Sequence, residues 1–356
     1  MLCPFNGTTL RSVLPPLLLS EFILGALGNG LALWIFCFHL KPWKSSTVLL
    51  FNLAMADFLL LLVLPFRGSY YLSELEWHFG SSFCNICLFM LAMNRSGSTL
   101  FLMAIALDRY MRVVHPHHPV NLLSLSKAVC GAAVLWLLAI SMNAHIFTLT
   151  HTNTTYCDSF TIEINKDNHV NFSWHKSAFL LSFYMPLVVI LYCTVKIILH
   201  LKGRQIAQHA KVKKALVFII VVVVLFIICF LPSNVFQVII WFETNRVSYY
   251  FQEAEGCLTM DYLTTIFYIT ISLTYLNSVL DPLVYYFSSP AIKNICRKAL
   301  RLPQASETVE SAEKKARETG SLSRRLRGPH KAHGPGPSTR PWTTHTALDH
   351  AHGPGQ

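Results

Sequence analysis

A short set of ionisable side chains interrupts the long apolar runs of this 356-residue sequence: Glu21, Asp57, Arg95, Asp108 with Arg109, and Asp281. Each costs at least ~2.5–3.5 kcal/mol if it lies in hydrocarbon, so each needs a reason to be there. Arg95 is the most informative. It follows Cys84 within one run and is the only charged residue between Cys84 and Asp108. At ~1.5 Å per residue it would sit about 16 Å along a helix from that cysteine. A guanidinium is a planar fork of donors suited to a carboxylate. Two readings fit: Arg95 anchors an acidic ligand, or an internal acid such as Asp57 neutralises it. The same half of that run has no Asp or Glu to hold an amine. No Lys occurs between residues 215 and 292, which excludes a Schiff base in the last run.

Catalytic chemistry finds little support. There is no His-Glu-x-x-His, no Gly-x-Ser-x-Gly and no phosphate-binding loop, and the cluster His115, His117 and His118 reads as a polar turn without further metal ligands. The sequence therefore predicts no enzyme. A transporter would show internal repeats and broken, polar helices, and neither is evident.

The elements that must position these residues are membrane spans. Hydrophobic residues make up 53% of the chain and charged residues only 13%, against about a quarter charged in soluble domains. A span needs roughly 20 mostly apolar residues. Segments near 17–39, 48–66, 83–113, 128–149, 177–201, 215–242 and 261–287 qualify, predicting an all-α, seven-helix membrane bundle. The first span itself serves as targeting signal.

The net charge of +11 comes from linkers and tail and argues for membrane topology rather than nucleic acid. Lys41 and Lys44, Arg109, Arg112 and Lys127, Lys202 to Lys214, and Lys293 to Arg301 fall on one side; Glu74, Glu76, Asp158, Glu163, Glu243 and Glu253 fall on the other. Positive-inside logic places the N-terminus outside and the tail in the cytoplasm. Three sequons, at Asn6, Asn153 and Asn171, all fall outside, as glycosylation requires.

This gives an extracellular segment 1–16, a seven-span bundle 17–287, an amphipathic juxtamembrane helix 288–302 and a disordered tail 303–356. In the amphipathic stretch Ile292, Ile295, Ala299 and Leu302 share a face that would lie on the inner leaflet. Cys296 there is either palmitoylated or a free thiol. The tail lacks apolar periodicity, and its serines and threonines, such as Ser306 and Thr308, are phosphorylation candidates. Cys3 and Cys257 both fall outside and either pair or remain free; Cys87 reads as a buried apolar residue.

One marker per span completes the pattern: Gly28-Asn29, Asp57, Asp108-Arg109-Tyr110, Trp136, Pro186, Cys229-Phe230-Leu231-Pro232, and Asn277 with Asp281-Pro282-Leu283-Val284-Tyr285. In this order they resemble the rhodopsin-like (class A) G-protein-coupled receptors. The resemblance implies that Arg109 leaves its local pairing to meet a heterotrimeric G protein and that Pro232 is the pivot of the sixth helix. It also implies that Asn29, Asp57, Asn277 and Asp281 form a polar cluster able to hold Na⁺ at Asp57, with no other cofactor. Cys84 and Cys157 match the family's disulfide. Arrestin and receptor kinases would act through the tail, and the receptor would reside in the plasma membrane. Asp281 replaces the commoner Asn, Phe230 the usual Trp, and Thr194 the usual Tyr.

Met93-Asn94-Arg95, Val114-His115-Pro116-His117-His118, Thr274-Tyr275-Leu276-Asn277-Ser278 and Phe287-Ser288-Ser289-Pro290 further resemble the hydroxycarboxylic acid receptors and the related oxoeicosanoid receptor. That group implies a carboxylate on Arg95, assisted by Ser159 and Tyr275, and coupling to the inhibitory Gi/o protein that lowers cyclic AMP. Arg67 matches an outer arginine of the lactate and oxoeicosanoid types, or is an interfacial arginine snorkelling to the headgroups. Gln237 stands where the hydroxycarboxylic acid receptors carry Arg. Two ligand classes stay open: a short hydroxy acid and an oxidised polyunsaturated fatty acid. A non-signalling decoy is the remote alternative.

Overall fold

In the computed structural model, the residues described are 7–148, 157, 169–203, 210–249, 254–288 and 290–299. They form helices α1 (Thr8–Phe38), α2 (Ser45–Leu61), α3 (Leu64–Leu72), α4 (Ser81–Val114), α5 (Leu125–Asn143), α6 (His169–Gly203), α7 (Ala210–Tyr249), α8 (Ala254–Ser288) and α9 (Pro290–Ala299). Short 3-10 turns cover Pro119–Leu122 and Ala144–Thr148, and no strand occurs among the described residues. Seven spans are long and apolar enough to cross a membrane, α2 with α3 forming one of them. The tail 303–356, Asn6, Asn153, Ser159 and Cys3 lie outside the described residues, as do the side chains of Asn171 and Cys257.

Two boundaries differ instructively from those expected of the sequence. α1 begins at Thr8, nine residues before the expected start at 17, although it contains Pro15 and Pro16. Proline removes a donor and normally disfavours a helix interior, but Leu10, Leu14 and Leu18 recur at helical spacing and are almost fully buried. Tertiary burial outweighs local propensity there. The second span is not one helix. Pro65 sits in the first turn of α3, and the break ahead of it re-aims the segment that carries Arg67.

α4 runs through the middle of the bundle against α2, α5 and α6, while α8 packs between α1 and α7. The most apolar stretch of α4 is 78% buried; that of α5 is 11% buried, its remaining apolar surface facing outward. In a chain of this composition, such outward surface suits lipid rather than water. Two apolar cores fill the interior. One, toward the Asp108 end, gathers Phe36, Phe101, Phe226, Phe230 and Tyr285. The other, toward Cys84, gathers Leu10, Tyr70, Tyr71, Trp77 and Ile240. α9 lays Ile292, Ile295 and Cys296 against the first core and carries Lys293, Arg297 and Lys298. Partial burial there pushes the Cys296 thiol up.

The α1–α8 seam depends on Gly28. A Cβ at Gly28 would lie 2.7 Å from Cγ of Pro282, and a proline ring cannot swing aside. Gly28→Ala should therefore lower stability by about 1–3 kcal/mol, the usual cost of overpacking, read as a drop in the thermal midpoint of the detergent-purified protein. Gly30, with nothing within 4 Å of its Cβ position, should accept Ala within about 0.5 kcal/mol of wild type.

Candidate ligand and signalling site

Arg95 lies on α4 with 8% of its surface exposed. Its Nη2 donates to Oδ1 of Asn234 on α7 at 2.7 Å, and its guanidinium carbon sits 3.6 Å from the ring centroid of Phe179 on α6. Thr99, one turn along α4, donates to the Ser182 carbonyl at 2.8 Å and fixes α4 against α6. No carboxylate pairs with Arg95 among the described residues, and Nε has no hydrogen-bond partner. Internal neutralisation by Asp57 is not what the bundle shows. A neutral amide and an aromatic face hold a charge whose strongest complement, a carboxylate, is absent among the described residues.

Around it, Tyr275 on α8 is buried and lies within electrostatic range of Arg67, Arg95 and Glu21. Arg67 is only 6% exposed, so it does not snorkel. Its Nη1 donates to the Cys157 carbonyl, and its guanidinium lies 4.9 and 5.2 Å from the rings of Tyr70 and Tyr71. Cys157 is disulfide-bonded to Cys84 at the start of α4. Arg67 thus grips the backbone of Cys157, the residue that the disulfide ties to the start of α4. Gln237, one turn beyond Asn234, is 3% exposed and its Nε2 has no hydrogen-bond partner. Glu21 is also buried, at 2% exposure, with both carboxyl oxygens lacking one.

Asp57 organises a second polar system nearer the Asp108 end. Its Oδ1 accepts from Ser278 at 2.8 Å, Ser98 at 3.2 Å and Asn94 at 3.3 Å; its Oδ2 accepts from Tyr285 at 2.9 Å. Tyr285 also reaches Asn29 Oδ1 at 3.2 Å, and Asn29 donates to the Ser278 carbonyl at 2.7 Å. Asn277 donates to Asp281 at 2.9 Å. Of the four residues expected to cluster, Asn29 is joined to Asp57 through Tyr285 and Ser278, and Asn277 pairs with Asp281, which interacts with Asp57 directly. The carboxylate and hydroxyl oxygens form a donor set that suits a hard cation.

At the end of α4, Asp108 is bound less by Arg109 than by Arg112. Arg112 Nε lies 3.0 Å from both carboxyl oxygens, whereas Arg109 Nε is 4.0 Å from Oδ2. Ser46 on α2 donates to Asp108 at 2.7 Å, and Arg112 donates to Ser45 at 2.9 Å. Tyr110 contacts His115 at 3.1 Å. Arg109 instead faces a small pocket of about 20 Å³ shared with Cys193 and Thr194, enough for about one water. Phe230 stands against Phe226, which stacks on Phe183 of α6; Pro232 lies within α7 between them and Asn234.

Sequence reasoning alone missed Asn234, Arg112, Ser46 and the Ser98–Ser278 pair. Arg112 was legible as an i, i+4 partner of Asp108. The others are contacts between distant helices, and only buried polar residue type hinted at them.

A seven-helix bundle with these markers defines a class. The 7 transmembrane receptor (rhodopsin family) model matches residues 28–285, and the chain belongs to that family. It is therefore a multi-pass membrane receptor, not an enzyme, of the kind that couples a small-molecule ligand to a G protein. Within that family it is similar to human hydroxycarboxylic acid receptor 2, 47% identical over 296 residues, covering 82% of this chain and 78% of that one. Human hydroxycarboxylic acid receptor 1 is 46% identical over 301 residues, 83% and 82% of the two chains. Human oxoeicosanoid receptor 1 is 38% identical over 310 residues, 87% and 78% of the two chains.

Tyr285→Phe removes one hydroxyl that serves both Asp57 and Asn29. The buried carboxylate loses a charge-assisted bond, so the purified receptor should lose about 1–3 kcal/mol, seen as earlier thermal unfolding. An unchanged midpoint would show that the hydroxyl is energetically idle.

Proposed function

We propose that the protein is a cell-surface receptor for a hydroxycarboxylic acid, whose carboxylate pairs with Arg95. One observation carries the reading: a buried guanidinium with an unpartnered Nε and, among the described residues, no acid of its own. Breaking or withholding the partner of a buried charge is strongly unfavourable, so an entering anion gains more at Arg95 than at the surface. The relatives named for hydroxycarboxylic acids, 46–47% identical, support this class. Tyr275 and Ser159 would assist, and Arg67 would hold the Cys157 backbone or touch the ligand.

Gln237 favours a second reading, an oxidised fatty acid. A neutral amide in place of an arginine leaves one fewer cation for a small polar acid, and the oxoeicosanoid relative supports this alternative more weakly.

Signalling follows from differential binding: the ligand shifts the bundle only as far as it prefers the active arrangement. In that arrangement Arg109 leaves its pocket and meets the G protein, with α7 pivoting at Pro232. We infer coupling to inhibitory Gi/o from the same resemblance, an outer N-terminus from the lysine and arginine bias, and a Na⁺ at Asp57 with Ser98 from the oxygen-rich donor set. Glycosylation at Asn6, Asn153 and Asn171, lipidation of Cys296, and tail-directed kinases and arrestin complete the proposal.

In cells expressing equal surface amounts, Arg95→Ala should reduce potency for the active acid by about 10–100-fold, the value of one charge-assisted hydrogen bond. Cyclic AMP inhibition by lactate, 3-hydroxybutyrate, nicotinate and oxo-fatty acids measures it and separates the two ligand classes. Equal potency on both receptors would refute the anchor. Asp57→Asn should abolish the sodium dependence of agonist potency, tested by replacing Na⁺ with N-methylglucamine in membranes.

A further inference from the structure

Arg95 already holds an oxygen. The Asn234 side chain is fully buried and bonded at both ends: Oδ1 accepts from Arg95 at 2.7 Å, and Nδ2 donates to the Phe230 carbonyl at 2.7 Å. The two bonds together fix which end of the amide faces the guanidinium, because arginine offers only donors and a carbonyl only an acceptor. Asn234 belongs to α7, two residues past Pro232; Arg95 belongs to α4. The bond therefore ties the sixth span to the third, close to the proline. Phe179 of α6 lies over the same guanidinium, so one side chain of α4 meets two other helices.

A neutral amide oxygen is a weaker acceptor for a guanidinium than a carboxylate is. An arriving carboxylate would outcompete it for Nη2 and could also use the idle Nε. Asn234 Oδ1 would then be left buried without its donor, a penalty comparable to a lost hydrogen bond. That penalty falls on α7 in its resting position and is relieved if α7 moves.

We propose that Asn234 is an internal stand-in for the ligand: it occupies the Arg95 fork at rest, latches α7 to α4, and is displaced by the ligand carboxylate. This rests on Arg95 being the carboxylate anchor, but the latch itself acts without any ligand. Asn234 is a positioning residue, acting on the G-protein face through Arg95 and Pro232.

The experiment uses the full-length receptor in membranes, matched for surface amount, and reads two quantities. The first is ligand-free guanine-nucleotide exchange on a panel of Gα subunits. The second is potency of lactate and 3-hydroxybutyrate. Asn234→Ala should raise ligand-free exchange about fivefold, the equilibrium shift from losing one hydrogen bond of about 1 kcal/mol, without weakening the acids. Asn234→Asp, nearly isosteric, gives up the bond to the Phe230 carbonyl but supplies a resident anion whose ion pair with Arg95 outweighs that loss; it should lower ligand-free exchange below wild type and cut acid potency by at least about tenfold. Misfolding cannot move two substitutions of one residue in opposite directions. If Asn234→Ala leaves ligand-free exchange at the wild-type level, or both variants shift it the same way, the latch is wrong. Should the exchange results hold while Arg95→Ala keeps full acid potency, the latch stands and the anchor falls. The reverse pattern, acids lost with Arg95→Ala and exchange unmoved by Asn234→Ala, retains the anchor alone.

Discussion

Hydrocarbon does not solvate charge, so a polar group within the spans is costly unless it finds its complement inside the bundle. That constraint decides how α4 is used. Successive residues on a helix point about 100° apart, and α4 exploits the turn between neighbours. Asn94 and Ser98 face Asp57, while Arg95 and Thr99 face α6 and α7. The negative and positive centres of the membrane interior are thereby kept on different faces of one helix. Asp57 is supplied with donors from α2's neighbours and needs no arginine. Arg95 receives one amide oxygen and a ring. The compensation is nearly complete on one face and deficient on the other, and the deficient face is where an external anion has something to gain.

The spans were legible because apolar runs of this length have few alternative explanations, and Arg95 because a lone charge in such a run demands one. The polar cluster was legible as to its members but not as to its wiring. Asp57, Asn29, Asn277 and Asp281 announce themselves by charge or amide, whereas Ser98, Ser278 and Ser46 are common residues whose hydroxyls matter only because of what lies opposite. Asn234 is the sharpest case: nothing local to Pro232-Ser233-Asn234 says that an arginine far away in sequence will donate to it. Helix ends failed for another reason. Pro15 and Pro16 disfavour a helix from Thr8 on local grounds, and only the buried leucine stripe, a tertiary fact, overrides that preference.

The Asp108 end shows the same division between near and far. Arg112 pairs with Asp108 along the helix, and Ser46 caps the carboxylate from α2. With Asp108 so engaged, Arg109 keeps only a 4.0 Å contact to its neighbouring acid and faces the pocket it shares with Thr194. Sequence adjacency suggested the Asp108–Arg109 pair; side-chain direction on a helix, which brings residues four apart together, selects the other.

α5 stands apart from this economy. Most of its surface faces outward, and among the described residues its side-chain hydrogen bonds to other spans are two: Trp136 donates to Asn52 of α2 at 2.8 Å, and Asn143 to Ser96 of α4 at 2.7 Å. The alkyl chains outside press on α5 as readily as the bundle does from within, so no solvent-driven force seats it. Its polar alignment comes from an indole at mid-helix and an amide at its last residue, two pins on one half of the helix. The lateral pressure and thickness of the surrounding bilayer are therefore mechanical inputs to α5, and through Ser96 they act on α4 one residue from Arg95.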